Sequence, residues 1–374
     1  MVLGGLAQPE ATRKQLHHQA TQAGLRVSVQ GLDQRFNERA VELMRELLES
    51  TLTELVQGEG AAVVLPQFNG VYMTDCTRLV WRQVGMKLAL RLELQRGQLQ
   101  ACLTDLKQHD QKAAVVEYPL PPGALHLGDL GFFKLKRFRD WSASGVFWLT
   151  RSKVGTRLHT PDGQPLDLKA VLTGSAAVSI PVIVGCGRNA VAAHLLAAPL
   201  PEAALTKRLA RLKEQARLDQ RPLSQRQLEL AHWTVYLTNV PALTFEQAHI
   251  LGRTRWQIEL LFKLWKSHGQ VLHSRSSDPL RQLCEGYGKL MGVIIAHWAL
   301  LVAGWQHDRL GALDALRILR THLPLMQRAF TYFHLFADFF HWVHHDLAHA
   351  PPLAKRRKTP LAFQLWYEFE VAYP

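Results

Sequence analysis

The stretch VYMTDCTRLVW (71–81) reads as a β-strand with one residue out of character, Asp75. Val, Tyr, Met and Thr suit a pleated, half-buried surface, and Asp does not. A carboxylate held in so apolar a run must be paired or hold a metal. Working outward, residues 87–94 and 98–103 read as two further strands joined by a hairpin turn at Arg96-Gly97. Residues 124–127 and 146–150 add two more, with a short helix over 134–141 between them, and 63–65 precede the set as another strand. Strands linked by a crossover helix define an α/β class.

The flanks are different. Residues 12–20 and 28–36 read as short helices around a turn at Gly24, the proportions of a helix-turn-helix, before an amphipathic helix over 37–56. Residues 154–240 alternate short β-like pieces (156–168, 177–184, 189–197) with Pro and Gly turns. A basic helical stretch with Lys207, Arg208, Arg211, Lys213, Arg217, Arg221 and Arg226 follows, then a strand over 233–240. This block reads as a β-rich insertion into the α/β core. The expected organisation is a helical segment (1–60), the first part of the core (61–153), the insertion (154–240), the last part of the core (241–305) and a helical region with a basic tail (306–374).

Composition narrows the partner. The chain has 374 residues, a formal net charge of +13 and a pI near 9.8. Such an excess of Lys and Arg points to a polyanion, because basic surface gains affinity by releasing counterions from phosphates. Nucleic acid is the first expectation and an anionic membrane surface the second. A membrane span is disfavoured: the longest apolar run, 290–305, falls short of roughly 20 residues and contains His297. No signal-peptide pattern follows Met1, and Cys76, Cys102, Cys186 and Cys284 form no CxxC pair. Together these predict a cytoplasmic, nucleoid-associated protein.

The chemistry concentrates in three places. The stretch TFEQAHILGRTRWQIELLFKLWK (244–266) reads as one capped helix, with Thr244 and Gln247 at capping-box spacing and Gly269 as a left-handed stop. At roughly 100° per residue, Arg255, Glu259 and Lys266 project within an arc of about 40°. An ordinary surface ion pair explains that helix alone. Asp75 is the second place. Asp129, after a strand and before a Gly turn, is the third and stands where α/β folds place ligands. A turn-forming Asx role for Asp129, or pairing of Asp75 with Arg78, is the plainer alternative for each. His341, His345 and His349, four apart beside Asp346, could form a metal stripe, although interleaved aromatics favour a structural role. Lys355-Arg356-Arg357-Lys358 is either a phosphate-contacting run or a solvated tail.

Taken in order, Asp75-Cys-Thr, Asp129-Leu-Gly-Phe-Phe, the stretch 233–241 and Arg255-x3-Glu259-x6-Lys266 resemble the transposases of the IS4 family over nearly the whole chain. The resemblance implies a ribonuclease H-like core interrupted by the insertion. Asp75, Asp129 and Glu259 would take the catalytic and metal-holding positions, with two Mg²⁺ or Mn²⁺ ions. Arg255 and Lys266 would contact DNA phosphates, Trp233 and Trp256 would hold a flipped base at the transposon end, and Lys207, Arg208 and Arg211 would add DNA-binding surface. The implied activity is cleavage of transposon ends and their joining to target DNA by phosphodiester hydrolysis and transesterification, in a homodimer on paired double-stranded ends. Two departures from the family are visible. Its signature tyrosine falls on Gly252, and the amino terminus begins late, as if an end-recognition segment were missing. They leave open a catalytically impaired, transposase-derived DNA-binding protein and a plain ribonuclease H-like nuclease.

Overall fold

The computed structural model describes residues 11–22, 24–56, 65–82, 84–173, 176–306, 308–352 and 364–365. The expected strand over 63–65 and the basic run 355–358 fall wholly or mostly outside the described residues; Leu65, which is described, sits in a turn with φ 64°.

In chain order, helices α1 (Arg13–Gln22), α2 (Val29–Asp33) and α3 (Glu38–Thr53) lead into strands β1 (Val71–Val80), β2 (Gly85–Glu93) and β3 (Leu99–Thr104). Strand β4 (Leu125–Gly128), helix α4 (Leu135–Ala143), strands β5 (Phe147–Arg151) and β6 (Leu158–His159) and helix α5 (Leu168–Val171) follow. Then come β7 (Val178–Val184), β8 (Val191–Pro199), α6 (Glu202–Leu218), α7 (Gln225–Ala231), β9 (Trp233–Thr238) and α8 (Phe245–Thr254). The chain continues through α9 (Trp256–Ser267), α10 (Pro279–Val302), α11 (Ala312–Thr321), α12 (Leu323–Ala329) and α13 (Leu335–His349). The α/β class read from the sequence holds, with parallel and antiparallel pairs mixed.

Two compact units divide the chain by interleaved segments: Met1–Val64, Thr74–Tyr118 and Trp256–Gln364 in one, Leu65–Met73, Pro119–Arg255 and Leu365–Pro374 in the other. In the first unit β2 lies between β1 and β3, and the β2–β3 hairpin turns through Gly97 with φ 68°. Helix α10 is buried along most of its length and packs against α3. Its glycine at 286 is required by contact, since a Cβ there would come within 2.2 Å of the Trp81 ring. His297, the polar interruption in the longest apolar run, is buried and bonds the Gly97 carbonyl at 2.7 Å. Among the described residues, no helix is long and apolar enough to cross a membrane.

The second unit is built on the order β1-β4-β5-β9-β8-β7-β6, with only the first residues of β1 taking part. Strand β4 runs parallel to both β1 and β5, the latter reached through α4, while β5, β9, β8, β7 and β6 pair antiparallel. The block 154–240 thus supplies β6 to β9 and, through the β5–β9 pairing, shares the sheet of β4 and β5. Strand β9 alternates. Trp233 and Leu237 enter an apolar cluster with Phe138, Trp148 and Leu195, while Thr234, Tyr236 and Thr238 take the opposite face.

Candidate active site

The stretch read as one helix is two. Thr244 caps α8 through the expected reciprocal bonds with Gln247, but the helix ends at Thr254, and Arg255 is its C-cap. The buried Thr254 hydroxyl donates to the Ile250 carbonyl at 3.0 Å, a back-bond that bends helices. Helix α9 then begins at Trp256. Gly269 also has a different reason from the one expected. The left-handed residue is Gln270, with φ 48°, whereas a Cβ on Gly269 would come within 2.6 Å of the Trp265 carbonyl oxygen.

In the first unit Asp75 sits half-buried in β1, and one of its carboxylate oxygens accepts the Cys76 amide at 2.8 Å. Arg78, three positions along the strand, points to the opposite sheet face and is not its partner. Glu259 and Lys266, both half-buried, lie seven residues apart on α9 and so share a face, about 10.5 Å apart along the axis. Lys266 and Asp75 are brought within electrostatic reach. Burial lowers the Lys266 ammonium from its ordinary value, and the Asp75 charge works in the opposite direction. The Cys76 thiol is pushed well up, first by burial and then by the charge of Asp110 and a bond to it; Asp110 is paired with Lys87 at 2.9 Å. The sulfur beside Asp75 therefore stays a neutral thiol, and the oxygen atoms are the available hard donors.

In the second unit Asp129 follows β4 and opens a single 3₁₀ turn, with no side-chain capping bond. The turn-forming Asx role is excluded, and its half-buried carboxylate is not spent on the backbone. The register of β1 with β4 pairs Val71 with Leu125, Tyr72 with His126 and Met73 with Leu127. Asp75 stands two residues beyond the last paired position of its strand, and Asp129 two beyond the last of its own. Among the described residues no three His, Cys, Asp or Glu side chains are grouped to hold an ion.

The implied DNA-binding residues separate sharply. Trp256 is 46% exposed, with the Lys263 ammonium 4.6 Å from its ring centroid. Trp233 is 8% exposed in the core of its unit; its edge helps line a cleft of about 310 Å³ with Lys169, Arg226 and Glu229. Base stacking would require it to leave that packing. Lys207 and Arg211 are exposed on α6. Arg208 on the same helix turns inward, donating to the Ala231 and Trp233 carbonyls and the Thr234 hydroxyl at 3.3, 2.6 and 3.3 Å. It braces β9. The histidine stripe is likewise structural: His345 stacks on His349 at 4.2 Å, and Asp346 bonds both His345 and His322.

Sequence reasoning missed Tyr236 and its neighbours Arg151 and His249. Gly252, where the family's tyrosine is expected, lies against the Tyr236 ring, and a Cβ there would come within 2.7 Å of the phenolic oxygen. The only available signal was the odd placement of a glycine inside a well-formed helix.

The matching of known proteins decides the family. The model for the transposase DDE domain matches residues 69–295, more than half of the chain. The chain belongs to the DDE transposase family. This DDE transposase is 25% identical to the transposase of insertion sequence IS231F of Bacillus thuringiensis subsp. israelensis over 352 residues, covering 82% of this chain and 74% of that one. It is 23% identical to the IS231C transposase of Bacillus thuringiensis subsp. berliner, with 83% and 74% covered. Against the IS1151 transposase of Clostridium perfringens it is also 23% identical, with 71% of this chain and 65% of that one covered. The DDE transposase thus spans about two-thirds to three-quarters of the length of these relatives.

Proposed function

We propose that this DDE transposase cleaves the ends of an insertion sequence and joins them to target DNA, with Asp75, Asp129 and Glu259 as its catalytic carboxylates, in the manner of the IS4 family. A ribonuclease H-like core is the framework this reading requires. Two Mg²⁺ or Mn²⁺ ions held by these carboxylates would supply activation of the attacking oxygen and stabilisation of the leaving oxygen during phosphodiester transfer. The donor set suits such hard cations, since all three groups are carboxylates and the neighbouring Cys76 is a neutral thiol. The chain's own part is positional. Lys266, on the face of α9 that carries Glu259, and Arg255 would grip phosphates beside the scissile bond, while Trp256 offers an exposed ring for a displaced base. Lys207 and Arg211 would add non-specific backbone contacts, and a homodimer would hold the paired ends.

The single observation carrying the assignment is the strand register: two carboxylates in parallel strands, each two residues past the last position at which β1 pairs with β4. A catalytically impaired DNA-binding protein is the other reading, and it rests on Gly252. The Tyr236 ring fills the space at that glycine, which favours a refitted site over a decayed one. The test is cleavage of supercoiled plasmid carrying the element's ends, with Mg²⁺, by the wild type and by Asp129→Asn. Cleavage to hairpinned ends by the wild type alone supports the reading; equal cleavage by the two removes Asp129 from the mechanism.

A further inference from the structure

At Cys76 the face of β1 opposite Asp75 meets the connection that follows β3. Side chains alternate along a strand, so the Cys76 thiol stands on that opposite face, half-buried and bonded to the Asp110 carboxylate. Asp110 opens a single 3₁₀ turn (Asp110–Lys112) within the connection. From β2 the buried Lys87 ammonium reaches the same carboxylate at 2.9 Å and also donates to the Gln108 carbonyl. Arg91, four residues along β2 and so on the same face, is buried too and donates to the Val116 and Tyr118 carbonyls at 3.4 and 2.9 Å. Two buried cations of one strand thus hold one stretch of chain. Buried ion pairs are a weak source of stability, and an apolar pair of the same volume often serves a fold as well. What this pair adds is a fixed place for the Asp110 carboxylate beside Cys76. The Cys76 amide is in turn the donor that Asp75 accepts at 2.8 Å. Contacts therefore run from Lys87 through Asp110 and Cys76 to Asp75, all within the first unit.

We propose that Asp110 is a positioning residue for the Asp75 carboxylate, holding Cys76 by its thiol and so aiming the amide that orients Asp75, with Lys87 as the brace. The inference rests on the catalytic reading of Asp75 above and adds residues that act through Asp75 and not on the DNA. Its specific content is the donor at position 76. A serine there keeps a hydroxyl for Asp110, whereas an alanine leaves only the backbone. Groups that orient metal-ligating side chains typically matter by about 10- to 100-fold in metal affinity or activity.

The test uses the full chain as wild type, Asp75→Asn, Asp110→Ala, Cys76→Ala and Cys76→Ser. Three quantities are read: Mn²⁺ affinity by electron paramagnetic resonance, kcat and KM for cleavage of plasmid-borne ends, and melting temperature. The expected result for both alanine variants is a loss of about 10-fold or more in Mn²⁺ affinity and in kcat, with KM for the DNA unchanged. Cys76→Ser should restore most of that loss. Wild-type Mn²⁺ affinity and kcat in either folded alanine variant, or a loss that Cys76→Ser shares in full, overturns the positioning role. A loss in Asp75→Asn then leaves the catalytic reading standing. If Asp110→Ala does not fold, the two Cys76 variants decide the matter. Asp75→Asn with wild-type Mn²⁺ affinity and cleavage overturns both.

Discussion

Helices α8 and α9 are consecutive in the chain, both amphipathic and both well formed, yet their surroundings differ in sign. Helix α8 faces a sheet surface lined by Arg151, Arg208 and the Tyr236 ring, and its own contribution there is an imidazole and the gap left by Gly252. Helix α9 carries a carboxylate and an ammonium on one face, and Asp75 lies within electrostatic reach of the latter. One lies among cationic side chains, and the other carries charges of both signs. A continuous helix could not make that division so cleanly; the break at Arg255 lets each half answer to its own unit.

The comparison can be broken most forcefully on α9. Glu259→Gln keeps size and helix propensity but removes the charge, and DNA-end cleavage should fall on the order of 100- to 1000-fold with an unchanged melting temperature. Retained cleavage would strike Glu259 from the catalytic set. On α8 the matching insult is steric. Gly252→Val drives a side chain into Tyr236, whose hydroxyl already stands 2.7 Å and whose nearest ring carbon 2.9 Å from a Cβ position, and overpacking of this kind costs about 1–3 kcal/mol. Denaturant unfolding reads that loss, and in a cycle with Tyr236→Ala the double variant should lose less than the two single variants together. If the two losses simply add, the ring is not the obstacle.

Smaller effects sharpen the contrast. Thr244→Ala removes the side chain that bonds the Gln247 amide and should cost α8 about 1 kcal/mol, read in the same unfolding experiment. Replacing Trp256 by Ala on α9 deletes the ring under the Lys263 ammonium, a loss of about 0.5–1 kcal/mol at an exposed site. The pH dependence separates the halves last. A histidine held below its unfolded pKa of about 6.5 binds fewer protons when folded, so it subtracts stability as pH falls below about 6.5 and contributes no slope above that value. His249→Gln should flatten the stability profile below pH of about 6.5; an unaltered profile would mean that burial does not hold the His249 imidazole below its unfolded value.

Much of this was legible without coordinates, for local reasons. Period-two alternation marked β1 to β5, the Arg96-Gly97 pair marked the β2–β3 turn, and Thr244 with Gln247 marked the start of α8. Each of these depends on neighbours within a few residues. What escaped depended on distant partners. The end of α8 at Thr254 coincides with a back-bond that spacing rules do not anticipate, and Arg208 looks like any other basic residue of its helix until β9 is beside it. Trp233 matched a base-holding tryptophan by position in the chain, but its strand turns it into the core.

Composition and motif order alone determined a basic, DNA-directed α/β enzyme with three carboxylates in sequence, because charge balance and residue type are properties of the chain itself. Tertiary structure alone decided that Gly252 is answered by Tyr236, that Arg151 and His249 join it, and that the signature helix divides. These are matters of which side chain fills which space across a sheet, and packing between segments far apart in sequence leaves no local periodicity to read.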